Sequence, residues 1–116
     1  MHQEVALFKA LSDPIRLRLA VLLAVRGETC VCHLAEAIEE PDFKVSRHLS
    51  ILRSARMVEA RREGTWMYYR LSEAHSDLGG FLQNGLRNCF ATHETVLEDL
   101  DRLGRAACKK EEECRD

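Results

Sequence analysis

The chain has 116 residues and a formal net charge of −2, with 46% hydrophobic and 31% charged residues. This length suggests one domain with a modest core, and the composition is ordinary for a water-soluble, helix-rich protein. The sequence has no run of roughly 18 apolar residues, the length that marks a membrane span. It begins with Met-His-Gln-Glu, which does not resemble a signal peptide.

Two helices are predicted before the first glycine. Residues 5–11 form a short first helix, and Asp13 and Pro14 follow it as a cap and a first-turn residue for the second. Apolar residues recur at helical spacing over residues 15–25, which predicts a core helix. Gly27 is expected to end this second helix.

A pair of cysteines stands at the entrance to the next predicted helix. Thr29 is a plausible N-cap, which would place Cys30 and Cys32 in the first turn of a helix over residues 30–38. Free backbone N–H groups and the helix dipole favour thiolate there, and thiolate binds soft metals. A buried core cysteine is the commoner fate of Cys32 alone, but two cysteines at one helix entrance favour chelation.

The following helix carries the main sign of a DNA contact. A turn over residues 39–43 contains Pro41, which keeps it from becoming helix. Val45, Leu49 and Leu52 then form one apolar stripe. The opposite face holds short polar and basic side chains that a DNA major groove accepts, namely Ser46, Arg47, Ser50 and Ser54. For this helix alone, a solvated surface face is an equally good interpretation.

A basic β-hairpin is predicted directly after this helix. Residues 57–61 and 66–70 are strand-like, and Gly64 lies in the turn between them. From Lys44 to Arg70 the segment carries seven basic and two acidic residues, a net +5 in a chain whose total is −2. Local positive charge is what phosphate contacts require, so this asymmetry predicts a nucleic-acid face.

A single long last helix is predicted to follow. Apolar residues repeat from Leu78 to Leu103 at steps of three and four, which is typical of a helix that pairs with another helix. Cys89 and His93 lie on this seam, where we expect packing residues. The pattern predicts a domain over residues 1–104 and a charged, frayed tail over residues 105–116.

Three segments together resemble a known family. The stretches ETCVCHLAEAI, KVSRHLSILRSA and EARREGTWMYYRL are similar to the ArsR/SmtB metalloregulatory repressors, and most similar to their arsenic-responsive branch, which often has Cys-Val-Cys at this place. The resemblance covers about residues 5–100. It implies a mainly α winged helix-turn-helix fold with a small β-hairpin, and a homodimer through its terminal helices. It also implies a cytoplasmic repressor that leaves operator DNA when a metal or metalloid ion binds.

The chain departs from the family pattern after the second helix of the motif. Family members usually have glycine there, and this chain has Arg56. A left-handed conformation would cost arginine about 1–2 kcal/mol. Either the helix ends differently, or Arg56 tolerates the strain.

Site residues follow from the motifs and the resemblance together. The expected DNA contacts are Lys44, Ser46, Arg47, His48, Ser50, Arg61 and Arg62. Cys30 and Cys32 are the expected metal ligands. Arsenic-responsive relatives often place a third cysteine where this chain has Ala35. A third ligand is therefore expected from the tail, from Cys108 or Cys114, and less readily from Cys89 or His33.

The expected inducer is As(III) or Sb(III), with Cd(II), Pb(II) and Zn(II) as alternatives. As(III) and Sb(III) prefer three sulfurs, whereas a methylated trivalent arsenic needs only two. A repressor of the same fold that senses oxidation through its thiols is a second hypothesis. A cytosolic thiol protein or metal carrier is a third, but it leaves the basic segment unexplained. The sequence has five cysteines and no predicted secretion signal, a combination that indicates a reducing cytosol. No motif for acid–base or nucleophilic catalysis is present, so we expect no enzyme.

Overall fold

The computed structural model describes residues 1–114, and it describes side chains as far as residue 107. In chain order the elements are α1 His2–Leu11, α2 Pro14–Arg26, β1 Thr29–Cys30, α3 Val31–Ile38, α4 Asp42–Ser54, β2 Val58–Glu63, β3 Trp66–Leu71, α5 Asp77–Asn88 and α6 Glu94–Cys114. The mainly α architecture and the small hairpin are those predicted from the sequence. Among the described residues, no helix combines the length and apolarity needed to cross a membrane.

The second helix begins and ends as its sequence predicts. The carboxylate of Asp13 accepts hydrogen bonds from the backbone N–H groups of Ile15 at 2.8 Å and Arg16 at 3.1 Å. These bonds satisfy donors that would otherwise have no partner in the first turn. Gly27 ends the helix with a φ of 81°, a conformation that side chains disfavour.

The entrance to α3 differs from the prediction. Thr29 is not the helix cap, because Thr29 and Cys30 form strand β1 and pair antiparallel with Tyr69 and Tyr68 of β3. The hydroxyl of Thr29 donates to the carbonyl of Gly27 at 2.9 Å instead of capping α3. Cys30 therefore stands at the N-cap position, and only Cys32 of the two cysteines lies in the first turn.

Helices α3 and α4 form a helix-turn-helix with a turn shorter than predicted. The turn spans residues 39–41 rather than 39–43, and Pro41 is the N-cap residue of α4. Glu39 is left-handed, with a φ of 57°. Its N–H group bonds the carbonyl of Glu36, and the N–H group of Glu40 bonds that of Ala35. This pairing is the Schellman motif, which ends a helix without leaving its last carbonyls unsatisfied.

Of the two possibilities for Arg56, the structure shows the strained one. It adopts the left-handed conformation with a φ of 63°, so arginine accepts the strain that glycine would avoid. Its N–H group bonds the carbonyl of Arg53 at 2.9 Å, and the N–H group of Met57 bonds that of Leu52 at 3.0 Å. A second Schellman motif thus ends α4, and Met57 enters the core.

The hairpin is confirmed, and its strands are longer than predicted. Val58 pairs with Leu71 at the base, and Glu63 pairs with Trp66 at the tip. Only Gly64 and Thr65 remain as the loop, with Gly64 at a φ of 61°. Glycine at the first loop position suits a tight hairpin turn. The sheet order is β1-β3-β2, so the wing continues directly into the strand that holds Cys30.

The predicted single last helix is wrong. The chain forms α5 and α6, which are separated by residues 89–93. α5 packs against α2, whereas α6 packs mainly against α3 and also contacts α2. Cys89 and His93 are exposed in the single chain, so their packing against a partner helix stays a prediction. The His93 ring lies 6.1 Å from that of Phe90, and its Nδ1 accepts the N–H of Thr95 at 3.2 Å. α6 continues past the predicted boundary at residue 104 and buries Ala106.

A buried ionic cluster joins α2, α3 and α6. Asp99 is 0% exposed, and its carboxylate accepts bonds from Arg18 at 2.7 and 2.9 Å and from Arg102 at 2.8 Å. The same two guanidinium groups donate to the last carbonyls of α3, from Arg102 to Ala37 at 2.7 Å and from Arg18 to Ile38 at 3.4 Å. The hydrogen-bonded carboxylate of Asp99 also raises the pKa of Arg18.

Candidate nucleic-acid interface and thiol site

One face of α4 is buried in the core, and this leaves the opposite face exposed to solvent. Val45, Leu49 and Leu52 are fully buried, as the apolar stripe predicted. Arg47 and Ser50 are exposed on the other side. Ser46 is half-buried on the flank. The helix therefore presents Arg47, the flanking Arg53 and short polar side chains to solvent, and its backbone can approach a DNA groove closely.

Two of the predicted contacts on α4 have protein partners. Lys44 pairs with Glu40 one turn earlier, at 3.3 Å. His48 is half-buried and faces the junction of α1 and α2, where its Nδ1 lies 3.2 Å from Arg16 Nη1 and 3.9 Å from an oxygen of Asp13. His48 therefore lies between α4 and the junction of α1 and α2 rather than on the outward face of α4.

The two arginines predicted on the wing have different surroundings. Arg61 lies 4.7 Å above the ring of Tyr68 and bonds the carboxylates of Glu28 at 2.6 Å and Glu63 at 3.1 Å. The Arg61 guanidinium lowers the pKa of Glu28, and the two carboxylates raise that of Arg61. Arg62 is exposed on the other face of the strand, because neighbouring strand residues alternate. Part of the positive charge of the wing is thus matched within the protein.

The two cysteines of the metal motif lie together. Cys30 is buried and Cys32 is half-buried, neither forms a disulfide, and their sulfurs are 2.9 Å apart. One possible ligand atom from each of Cys30, Cys32 and His33 lies within 4.8 Å of the others. This set offers two soft sulfur ligands and one imidazole, which suits a thiophilic ion.

The thiol pair contacts both the wing and a solvent-filled groove. Cys30 is the strand partner of Tyr68; burial raises the pKa of this tyrosine, and charge at Cys30 adds to the rise. Cys32 lines an open groove of about 720 Å³ between α3 and α6. An ion can therefore reach the pair from solvent without crossing the core.

The other predicted ligands are not part of this group. Cys89 is exposed after α5 and is absent from the cluster formed by the described residues. The side chains of Cys108 and Cys114 lie outside the described residues. Of the candidates for a third ligand, His33 is the one that the described structure brings to the pair.

Sequence reasoning missed one exposed residue of α4. Phe43 was assigned to the turn, but it lies in the first turn of the helix with its side chain exposed. Its spacing from Arg47 and Ser50, four and seven residues, places it on the same face and could have revealed it. The bond from Arg61 to Glu28 joins residues far apart in the chain and left no local signal.

These elements define a winged helix-turn-helix protein with a thiol pair beside its first motif helix. A family model described as bacterial regulatory protein, arsR family, matches residues 13–60. The solution structure of the homodimeric winged helix-turn-helix DNA-binding domain Mb0332 from Mycobacterium bovis is similar, with a TM-score of 0.62 and 35% identity over 80% of this chain and 86% of that chain. The chain belongs to the ArsR family of bacterial regulatory proteins.

Two relatives with different named resistances are similar to this chain. The arsenic resistance transcriptional regulator ArsR1 of Pseudomonas putida is 50% identical over 55% of this chain and 50% of that protein. A cadmium resistance transcriptional regulatory protein CadC homolog of Staphylococcus aureus is 41% identical over 59% of this chain and 56% of that protein. The chain therefore spans about half the length of these relatives. Both are transcriptional regulators, in agreement with the expectation that this chain is not an enzyme.

Proposed function

We propose that this protein is a cytoplasmic DNA-binding transcriptional repressor that a thiophilic metal or metalloid ion releases from its operator. The observation that carries the proposal is the position of the thiol pair. Cys32 lies in the first turn of the first helix of the helix-turn-helix, and Cys30 is hydrogen-bonded into the sheet that forms the wing. An ion held by both sulfurs would bridge α3, which is joined to α4, and the sheet that forms the wing; α4 and the wing are the elements expected to contact DNA.

The preferred ions are As(III) and Sb(III). Two closely spaced cysteine sulfurs support a soft, sulfur-seeking ion, and the relatives are named for arsenic and cadmium resistance. Cd(II), Pb(II) and Zn(II) remain alternatives, and a third ligand from His33 would favour zinc over arsenic. A tail cysteine, Cys108 or Cys114, would instead complete three sulfurs for As(III).

Release would follow from movement at the junction of β1 and α3. Ion binding would fix the distance between a sulfur on a strand and a sulfur on a helix, and would shift α3 relative to the sheet. Because α4 is joined to α3 by a turn of residues 39–41, this shift would misalign the outward face of α4. The required coupling is modest, typically about 1–3 kcal/mol between two sites.

The decisive test is an ion titration of the reduced protein bound to DNA that it selects from a random library. Arsenite, antimonite, cadmium and zinc are added in parallel, and release is followed by fluorescence anisotropy. We expect arsenite and antimonite to release the DNA at the lowest concentrations. Release by an oxidant in the absence of any ion would support the redox alternative. A protein with no salt-dependent DNA binding would contradict the repressor proposal.

Arginine replacements on the two DNA-facing elements should weaken binding in different ways. We expect Arg47→Ala to lower affinity for the selected site roughly 5- to 150-fold, the range for loss of one base contact. Arg62→Ala should weaken binding to all sequences alike and reduce the salt slope by about one. Arg105→Ala, which removes an exposed arginine on α6, is the matched control and should bind normally. Binding at wild-type strength by both Arg47→Ala and Arg62→Ala would move the DNA face elsewhere.

The protein is expected to be a stable homodimer with or without the ion. Large apolar side chains remain exposed on the terminal helices, on α1, α5 and α6, namely Val5, Phe8, Phe81 and Leu97. A dimer would cover such side chains and present two recognition helices to half-sites about one DNA turn apart. Sedimentation equilibrium at micromolar concentration should give twice the chain mass. A monomer under these conditions would exclude this assembly.

A further inference from the structure

Phe43 stands apart from the other side chains of α4. It is the second residue of the helix, and its side chain is 68% exposed. A lone exposed aromatic residue is ordinary on a protein surface, so exposure alone assigns no role. Its position on the helix is what distinguishes it.

Helical geometry places Phe43 on the outward face of α4. Residues four and seven positions apart share one side of a helix, so Phe43 lies in line with Arg47 and Ser50. The opposite side is the fully buried stripe that ends in Leu52. Phe43 therefore forms the N-terminal end of the row of side chains that faces away from the protein.

The N-terminal residues of a recognition helix are those that reach base edges in the major groove. Arginine and serine at this end can bond the polar atoms of the bases. A phenyl ring cannot form such bonds, but it can cover the C5-methyl group of thymine, the apolar feature of that groove. Phe43 directly precedes the segment from Lys44 to Arg70, and Glu39, Glu40 and Asp42 lie on its other side. The net charge of +5 on that segment matches a phosphate-lined partner better than an apolar protein surface.

We infer that Phe43 is a specificity-determining residue that recognises the methyl group of a thymine in each operator half-site. This inference rests on the proposed function, because it assigns one contact within the proposed DNA complex. Arg47 and Ser50 would fix the register of the helix on polar base edges, and Phe43 would distinguish thymine from cytosine or uracil at one position.

The test replaces thymines of the selected DNA site by deoxyuridine, one position at a time. This change removes only the methyl group. For the wild-type protein we expect a loss of roughly fourfold in affinity at one thymine per half-site, the effect of one buried carbon. For Phe43→Ala, the same replacement should change affinity by less than about 1.5-fold, since the ring that covers the methyl group is gone. Phe43→Leu should restore part of the thymine dependence.

Val25→Ala is the matched control, because it shortens an exposed apolar side chain on α2. It should keep the wild-type dependence at every thymine, and far-UV circular dichroism should show that all variants fold. If Phe43→Ala retained the wild-type thymine dependence at all positions, the inference would be overturned while the repressor proposal stood. If the wild-type protein selected no DNA sequence, both would be overturned.

Discussion

Asp99→Ala is expected to lower the free energy of unfolding by about 3 kcal/mol, the lower end of the range for breaking a buried ion pair. The Asp99 carboxylate is fully buried and pairs with two guanidinium groups, those of Arg18 and Arg102. Without it, two positive charges would face each other across a cavity. Because the arginine side chains are 25% and 23% exposed, water compensates for part of the loss. Urea denaturation followed by circular dichroism measures the effect.

Asp101→Ala is the matched control for this change. Asp101 lies two residues away on α6 and pairs with Arg105 at 3.0 Å, but both side chains are exposed. An exposed pair of this kind contributes about 0–1 kcal/mol, so the control should unfold almost as the wild type does. Asp99→Asn should fall between the two, because it keeps a hydrogen-bond acceptor but loses the charge. Equal stability of Asp99→Ala and Asp101→Ala would show that the cluster contributes little.

The double replacement Cys30→Ser, Cys32→Ser is expected to abolish release by arsenite while leaving DNA affinity within about twofold of wild type. The outward face of α4 does not include either sulfur, so the DNA contacts should persist. The wild-type protein should lose roughly 5- to 150-fold in affinity when the ion binds, the usual range of coupling between two sites. Anisotropy titrations of the reduced proteins with arsenite compare the two directly.

Further cysteine variants identify the third ligand. Cys89→Ser is the control, since this exposed thiol lies outside the cluster, and its release curve should match that of the wild type. Joint replacement of Cys108 and Cys114 should weaken the arsenite response only if the tail supplies a ligand. His33→Asn should weaken the zinc response if the imidazole completes the site. An arsenite response that survives the loss of both Cys30 and Cys32 would place the sensor elsewhere, with Cys89 the next candidate.

Much of the fold could be predicted because its determinants are local. The cap of α2 depends on Asp13 and the two residues that follow Pro14, and the hairpin turn depends on Gly64. The stripe of α4 repeats within a single helix. Such signals involve residues within one or two turns of each other, and sequence spacing reports them directly.

The features that were missed depend on contacts between distant parts of the chain. Thr29 and Cys30 are extended because β3 pairs with them, which overrides the helix-capping tendency of threonine. The bond between Arg18 and Asp99 joins residues 81 positions apart, and that between Glu28 and Arg61 joins residues 33 apart. The break between α5 and α6 accompanies a change of main packing partner, from α2 for α5 to α3 for α6, while the apolar spacing runs on through the break.

The short turn before α4 has a consequence for the thermodynamics of DNA recognition. Of its three residues, Glu39 is held left-handed by the Schellman bonds of α3, and the ring of Pro41 fixes its own φ near −64°. The last carbonyls of α3 are also held by the arginines that surround Asp99. Little backbone freedom therefore remains in the turn, so α4 is preorganised and should lose little conformational entropy when it enters a groove.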